Sequence, residues 1–504
     1  MRAQTGKING IIKDSKSQQY LVYAEVELVE TTLKTTSDSN GFYMIDYIIP
    51  GTYTIKISLK QYNPKLLYNI VVTSGNINSV NIFLDAEENV LEVANIKSKK
   101  KIFAKVIETP LSTQSLSAQE IKSFPGANFD IVKVAQSLPG VSGSVGFRND
   151  LVIRGGAPNE TVYYLDGMEV PNINHFATQG SGGGPVGMLN VAFIEEVTLS
   201  TSAFSAKYDN PLSGVLQFRQ KSGNLTRTQG NFRLGASEAA LTLEGPLGKS
   251  KKWSYMVSAR RSYLQALFKL IKLPFLPNYW DYQYKLTFKP SKKDEINLLG
   301  LNAIDNFDFN PPKVDPYDTS IATQNNLYIL NSVAKYTQYS ATGGISWKHL
   351  IPRGYFNLVL SSNVLRNGIT KYEDNDESVE QKLRLKVKSY EWEHKLRFDL
   401  NKFVGRWKLS TGANIGFCKY DNTFFQKTFI PFNNSYINIA SDKSMNFVKF
   451  GLFGNASRSF FSNRFNLSGG IRTDMNTFTT NGLNPIKAIS PRLSATYILS
   501  KQFN

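Results

Sequence analysis

Leu151-Val152-Ile153-Arg154-Gly155-Gly156 is followed, after residues 157–161, by Val162-Tyr163-Tyr164-Leu165-Asp166-Gly167-Met168-Glu169-Val170. Two further pieces complete the set: Ile194-Glu195-Glu196-Val197-Thr198-Leu199, and Leu212-Ser213-Gly214-Val215-Leu216-Gln217-Phe218. Each consists of short runs of β-branched and aromatic residues. The Gly155-Gly156 and Asp166-Gly167 pairs supply residues that tolerate the positive φ of tight turns. The region from Arg148 to Gly223 therefore reads as a small sheet of short strands, and the rest of the chain is organised around it.

Upstream, Ser117 to Leu138 suits one or two helices. Ser117 with Glu120 has the spacing of a capping box, and Phe129, Val132, Val134 and Leu138 give a partly apolar face. Pro139-Gly140 ends the helical region. Between Asp166-Gly167 and Ile194 lies a polar, glycine-rich excursion, Pro171 to Gly187, with Asn172, Asn174, His175, Gln179 and the small residues Ser181 to Gly184. Such a segment has too little apolar area for a core of its own, so a loop held at its ends by the sheet is expected. Gly182 to Gly187 formally fits G-x-G-x-x-G, but Pro185 and the loop setting argue against a dinucleotide site. His175 has no companions at metal-ligand spacing. Arg148, Arg154, Asp166, Glu169, Glu195, Glu196 and Arg219 are expected to form ion pairs, because burying either sign alone is costly.

Residues 6–86 alternate in period two. Lys7 to Ile12, Ala24 to Val29, Phe42 to Ile45, Tyr53 to Leu59 and Ser79 to Leu84 read as strands, with turns at Asp38-Ser39-Asn40-Gly41 and Pro50-Gly51. That spacing predicts a small β-sandwich. Residues 87–109 change to acid followed by Lys97, Lys99, Lys100 and Lys101, the composition of a solvated linker.

Beyond residue 228 the chain reads as a succession of alternating strands, among them Trp253 to Arg260, Tyr282 to Lys289, Tyr355 to Val364, Trp407 to Ile415, Phe447 to Ala456 and Arg492 to Leu499. Segments of about ten residues alternating polar and apolar are the mark of a membrane barrel. The connections Gly245–Lys252, Lys289–Asp294, Leu350–Gly354 and Asn401–Arg406 are short. They alternate with long ones at Leu264–Tyr279, Ala303–Gln338, Arg366–Lys382 and Asp421–Ser444. About twelve strands are expected to residue 500.

Composition agrees. Aromatics are 12% of the 504 residues, with 25 Tyr and 32 Phe, which suits strands and interfacial girdles. There is no run of 18 apolar residues, so a transmembrane helix is not expected. The net charge of +18 is spread through strands and connections rather than gathered into one basic stripe, which argues against nucleic-acid binding. Cys418 is the single cysteine, which excludes an intrachain disulfide framework and any multi-cysteine metal site.

The strand Ile153-Arg154-Gly155, the hairpin Leu165-Asp166-Gly167, Ile194-Glu195 with Val197, and Gly214-Val215, in this order, resemble the plug domain of TonB-dependent outer-membrane receptors. Leu138-Pro139-Gly140-Val141 is similar to the hinge between plug helix and plug sheet. Gly10-Ile11-Ile12-Lys13-Asp14, Asp38 to Phe42 and Pro50-Gly51-Thr52-Tyr53 resemble the carboxypeptidase-regulatory-like domain placed before such plugs. That name implies no peptidase activity, and the segment holds no histidine. Leu91 to Ile96 resembles the short strand before the plug.

The resemblance implies a mainly β protein: an N-terminal β-sandwich at 6–86, a linker at 87–109, an α+β plug at 110–225, and an antiparallel transmembrane β-barrel from 228 to 504. Plugged transporters have about 22 strands, so the chain is expected to hold an incomplete barrel with about ten strands still to come. Met1 to Gln4 is too short for a secretory signal, which points to a misplaced start or a chain beginning just after cleavage. The implied partners are a TonB-type energy-transducing protein in the periplasm, outer-membrane lipid, an extracellular ligand, and a surface substrate-capture lipoprotein. The implied place is the outer membrane of a Gram-negative cell. Asn172, Asn174, His175 and Gln179 are the expected ligand-touching residues, on an apical loop; a loop that merely fills the lumen is the alternative. No cofactor, metal or catalytic residue is expected. Two functions remain open from the sequence: energised import of a solute, and binding or adhesion on the same scaffold without transport.

Overall fold

The computed structural model describes residues 5–86, 113–124, 130–143, 148–177, 179–180, 182–235, 237–311, 320–461 and 464–497. The expected linker, with its Leu91–Ile96 strand and lysine cluster, lies outside the described residues, as do Phe129, Ser181 and residues 498–504.

The N-terminal unit contains β1 (Gly6–Asp14), β2 (Glu25–Leu28), β3 (Lys34–Thr36), β4 (Phe42–Ile48), β5 (Gly51–Ser58), β6 (Lys65–Val72), β7 (Ile77–Ser79) and β8 (Ile82–Leu84). They form two sheets, one built on β4-β1-β7 with β8 also paired to β1, the other ordered β3-β2-β5-β6. Ile8, Ile12, Val26, Leu28, Ile55 and Ile57 point between the sheets and are fully buried. The period-two alternation is thus realised as a sandwich core. Gly10 is required where β1 passes the return to β8, because a Cβ there would sit 1.8 Å from the Val80 carbonyl oxygen.

The plug comprises β9 (Thr113–Ser117), α1 (Ala118–Ser123), α2 (Ile131–Ala135), β10 (Val141–Gly143), β11 (Leu151–Ile153), β12 (Thr161–Leu165), β13 (Met168–Val170), β14 (Asn174–His175), β15 (Val186–Gly187), β16 (Ile194–Ser200) and β17 (Gly214–Gln220). Its main sheet is ordered β13-β12-β17-β16-β9, antiparallel throughout except for β12 beside β17. The capping box forms: Ser117 Oγ accepts from the Glu120 backbone N–H, and the Glu120 carboxylate accepts from the Ser117 N–H. Asp166 and Gly167 both have positive φ, 49° and 90°, as the two-residue β12–β13 turn requires. β9, which no motif announced, closes one side of the sheet.

Twelve strands follow: β18 (Gln229–Leu234), β19 (Glu238–Pro246), β20 (Trp253–Ser262), β21 (Phe275–Phe288), β22 (Asp294–Phe309), β23 (Lys335–Ile351), β24 (Gly354–Tyr372), β25 (Leu383–Val404), β26 (Trp407–Ile430), β27 (Ser435–Phe460), β28 (Phe465–Asn476) and β29 (Ile489–Tyr497). They pair in sequence order as one antiparallel sheet, and within the described residues β18 and β29 each have a neighbour on one side only. The sheet is therefore open and wraps the plug.

Strand lengths correct the expectation of about ten residues, since β25, β26 and β27 run to 22, 24 and 26. The expected long connection Asp421–Ser444 shrinks to residues 431–434, because every pair from Asp421↔Ser444 to Ile430↔Ser435 stays in the ladder. A backbone group that keeps its cross-strand partner has no reason to leave the strand. Two other long connections hold short helices, α3 (Leu264–Leu270) and α4 (Ile321–Ser332).

The outward face has a legible layering. Leu298, Ile345, Leu360, Leu396, Ile415 and Phe450 form one continuous cross-strand row. The next row towards the short turns carries Trp253, Phe288, Trp347 and Phe398. The row bounding the apolar zone on the other side carries Trp280, Tyr339 and Tyr390. Trp347 and Tyr339, from the two bounding rows, are separated along β23 by roughly 27 Å of extended chain. With ordinary strand tilt this is about the height of a lipid-facing barrel band. No helix among the described residues is long and apolar enough to cross a membrane; the sheet has the face that can.

Candidate functional site

The plug meets the inward face of the sheet through an apolar patch, where Leu299, Leu301, Ala303 and Val359 join its core, and through two buried ionic clusters. Inward positions alternate with the apolar outward ones, so each charged residue sits at period two in its strand.

The first cluster surrounds His175 at β14. Its Nδ1 lies 2.6 Å from Asp305 Oδ1 and its Nε2 lies 3.0 Å from Asp281 Oδ2. Asp305 also accepts from the Phe176 backbone N–H at 2.9 Å. The ring stacks on Tyr279, centroids 4.0 Å apart, and Arg260 donates to Asp281 at 2.6 Å and to Glu238 at 3.2 Å. His175 is 0% exposed. Burial alone would lower its pKa, but the two carboxylates outweigh it and hold the pKa above the ordinary value. Each ring nitrogen faces a carboxylate, with Arg260 Nη2 also 3.5 Å from Nε2, and the imidazolium, a donor at each nitrogen, satisfies both carboxylate contacts at once.

The second cluster holds residues 204–209, the approach to β17. Asp209 contacts Lys395 at 3.3 Å, Arg472 at 2.8 Å and Asn414 at 3.1 Å. Arg492 donates to the Ser205 carbonyl at 2.6 Å, Arg472 to that of Ala206 at 3.3 Å, and Arg397 to that of Lys207 at 2.7 Å. Burial pushes the Asp209 carboxyl up, but Lys395, Arg472 and Arg397 together bring it below the usual range. Lys395 also pairs with Glu169 at β13, and Lys285 with Asp166 in the hairpin turn at 2.8 Å.

The four residues expected to touch ligand fall into two groups. Asn174 and His175 are buried, 2% and 0% exposed. Asn172 is half-buried and holds the Asn174 backbone, accepting from its N–H at 3.0 Å. Gln179, also half-buried, donates to Glu391 and accepts from Ser389 at 2.9 Å. The excursion is thus held at its centre as well as its ends, unlike the simple loop expected. The reason is tertiary: Asp281 and Asp305 stand more than 100 positions later, where no local pattern links them to His175. Gly184 lets the β14 and β15 arms close, since a Cβ would lie 2.2 Å from the His175 carbonyl oxygen.

The expected pairing within the plug is found for Arg219 with Glu195 and Glu196, at 3.0 and 2.8 Å. Arg148 pairs with Asp150, whereas Asp166 and Glu169 pair with the wall and Arg154 stands exposed in its turn. Sequence reading missed Asp209, Arg260, Asp281, Asp305, Lys395, Arg397 and Arg472. For those on the wall the available signal was charge at inward, period-two positions of the strands; Asp209, in the segment before β17, had no such signal.

The sandwich contacts the end of the sheet where the connections are short. Lys13 lies 3.6 Å from Glu295, Lys348 donates to Gln18 at 3.1 Å, and Gln229 donates to the Ile77 carbonyl at 3.0 Å. A cavity of about 340 Å³ lies between sandwich, plug and wall, lined among others by Phe83, Arg219 and Lys348.

Residues 105–215 match the TonB-dependent receptor plug domain model, and residues 7–85 match that of the carboxypeptidase regulatory-like domain. The architecture is that of a TonB-dependent receptor. A variant of the ferric enterobactin receptor PfeA from Pseudomonas aeruginosa superposes with a TM-score of 0.55 at 15% identity, over 78% of this chain and 60% of that one. The siderophore receptor PirA from Acinetobacter baumannii gives 0.54 at 14% identity, over 78% and 59%. The TonB-dependent transporter Oar from Myxococcus xanthus is 22% identical over 231 residues, 44% of this chain and 21% of that protein. The chain therefore spans about 60% of these two solved receptors and 21% of Oar, and at these identities the structural likeness is one of fold.

Proposed function

We propose that this chain belongs to an outer-membrane receptor that captures an extracellular solute and admits it to the periplasm when a TonB-type protein displaces part of the plug. The observation that carries this reading is the seating of the plug. It fills the space inside a sheet with a lipid-facing outer surface; Leu299, Leu301, Ala303 and Val359 of the wall join its apolar core, and elsewhere it is held by ionic contacts. Outside that apolar patch the contacts between charges are directional and can be exchanged for water one at a time, so the part of the plug held this way can be pulled past its wall.

In this reading residues 6–86 form a periplasmic domain at the short-turn end, 87–109 a linker, 110–225 the plug and 228 onward the barrel. Asn172 and Gln179, the half-buried members of the loop, are the ones offered to ligand; Asn174 and His175 position it. A surface capture lipoprotein would act on the long-connection side.

The test compares solute depletion from a complex medium by three strains: one producing the full receptor, one lacking it, and one lacking the TonB-type protein. A solute consumed only when both proteins are present supports the proposal. Equal consumption without the TonB-type protein refutes energised import.

A further inference from the structure

The cavity between sandwich, plug and wall holds more positive charge than its carboxylates balance. Glu295 on β22 stands directly opposite Lys348 on β23, and Lys289, just past the end of β21, flanks it on the other side. Lys13 reaches in from β1 of the sandwich. Glu295 Oε2 lies 3.6 Å from Lys13 Nζ and 3.7 Å from Lys289 Nζ. Lys348 instead donates to the Gln18 side chain at 3.1 Å and lies over the Tyr355 ring, 4.6 Å from its centroid. Three lysines thus share one carboxylate in a largely enclosed place, the side chains of Lys13 and Lys289 being 14% and 17% exposed. The neighbouring cations are matched: Lys285 by Asp166 at 2.8 Å, and Arg219 by Glu195 and Glu196. Among the described residues the cavity lining carries seven cationic side chains against five carboxylates, an excess of two.

We propose that this cavity binds a small phosphate dianion, free or as a phosphate monoester, and that the bound anion ties the sandwich to the wall. Ammonium groups held close together with little water repel one another, and an anion among them relieves the repulsion. Burial, with Lys13 and Lys285 nearby, outweighs the effect of Glu295 and holds the Lys289 pKa below its ordinary value. An excess of two charges matches a dianion. Lysines are compact point charges that can converge on a tetrahedral oxyanion, whereas a planar carboxylate is better met by the fork of an arginine. Arg219, the arginine beside them, is occupied by Glu195 and Glu196. Ser346 lines the same cavity and offers a hydroxyl. The volume, about 340 Å³, leaves room for the organic part of a monoester. Lys13 belongs to the sandwich and Lys289 and Lys348 to the wall, so an anion held by all three favours the docked position.

The test is isothermal titration calorimetry of the full receptor in detergent, near neutral pH and at low chloride, with inorganic phosphate, glycerol phosphate or succinate as titrant. The double variant K13Q/K348Q and the single variant Glu295→Gln are compared with Lys443→Gln, an exposed lysine at the long-connection end of the sheet. Circular dichroism checks that each variant folds; should the double variant not fold, E295Q decides. The expected result is binding of phosphate or glycerol phosphate by the wild type and K443Q, the tighter of the two naming the source. The double variant should bind roughly tenfold or more weakly, and E295Q, which raises the excess charge, more tightly. Bound phosphate should also slow hydrogen exchange of residues 12–20 in the wild type but not in the double variant. Equal binding by the double variant, weaker binding by E295Q, succinate bound as tightly as phosphate, unchanged exchange on binding, or binding of neither phosphate would each overturn the proposal. Each of these outcomes leaves the import reading untouched, because that reading rests on the seating of the plug.

Discussion

His175 of the plug and Asp305 of the sheet meet at 2.6 Å in a site closed to solvent, although 130 positions separate them in sequence. With Asp281 on the other ring nitrogen, the histidine is clasped between two adjacent strands of the wall. The clasp at β21–β22 and the arginine cluster at β25–β29 hold different parts of the plug, the β14–β15 arm and residues 204–209.

Asp305→Asn keeps the shape but removes a charge facing a buried imidazolium. Because Asp281 still faces the other ring nitrogen, the loss is expected to fall below the roughly 3–5 kcal/mol of a fully uncompensated buried pair. Hydrogen exchange of residues 173–176 and 186–188 is expected to accelerate strongly in D305N and in H175Q, while β16 and β17 stay protected. Unchanged exchange at 173–176 would show that the clasp contributes nothing to holding the arm.

The same contact has a pH dependence with a definite sign. The folded pKa of His175 is raised above its usual value, about 6.5. Its contribution is complete below the unfolded pKa and is lost as pH rises through the folded one. Opening of the β14–β15 arm, followed by hydrogen exchange corrected for intrinsic rates, is expected to become easier above neutral pH. H175Q should remove that dependence; a wild-type profile flat up to strongly alkaline pH would contradict it.

Asp209→Asn removes the anion shared by Lys395 and Arg472. Lys395 keeps Glu169 and Arg472 keeps Asp474, so the expected outcome is a local loss below the roughly 3–5 kcal/mol of a fully uncompensated buried charge, read as protease cleavage between residues 204 and 212 under conditions where the wild type resists. Because the Asp209 carboxyl is held below its usual range, its contribution is present above the unfolded pKa and fades as pH falls through the folded one. Acid should therefore loosen this segment in the wild type and change D209N less.

Gly184→Ala places a methyl group against the His175 carbonyl and the Asn174 side chain. Overpacking of this kind costs about 1–3 kcal/mol. The variant is expected to show the exchange behaviour of H175Q with the ionic groups intact. Gly180→Ala, where an added Cβ meets nothing within 4 Å, has only its positive φ to relieve and should be milder.

Local chemistry determined the elements of this protein. Asp166-Gly167 demands its turn, Ser117 and Glu120 cap their helix, and period-two alternation marks the strands of sandwich and barrel alike, because these signals act between residues close in sequence. The ordered set of plug pieces carried the family resemblance for the same reason. Where a strand ends was less legible: β26 and β27 continue past Asp421 and Ser444 because each supplies the other's hydrogen bonds, a condition neither strand's sequence contains. The site was decided by tertiary structure. His175 reads as a lone polar residue in a glycine-rich loop, Asp305 falls inside the expected long connection Ala303–Gln338, and Asp281 lies just before the expected strand Tyr282 to Lys289. Only the seating of the plug inside the sheet brings opposite charges to hydrogen-bond distance with water excluded, and that exclusion is what turns three ordinary residues into a clasp.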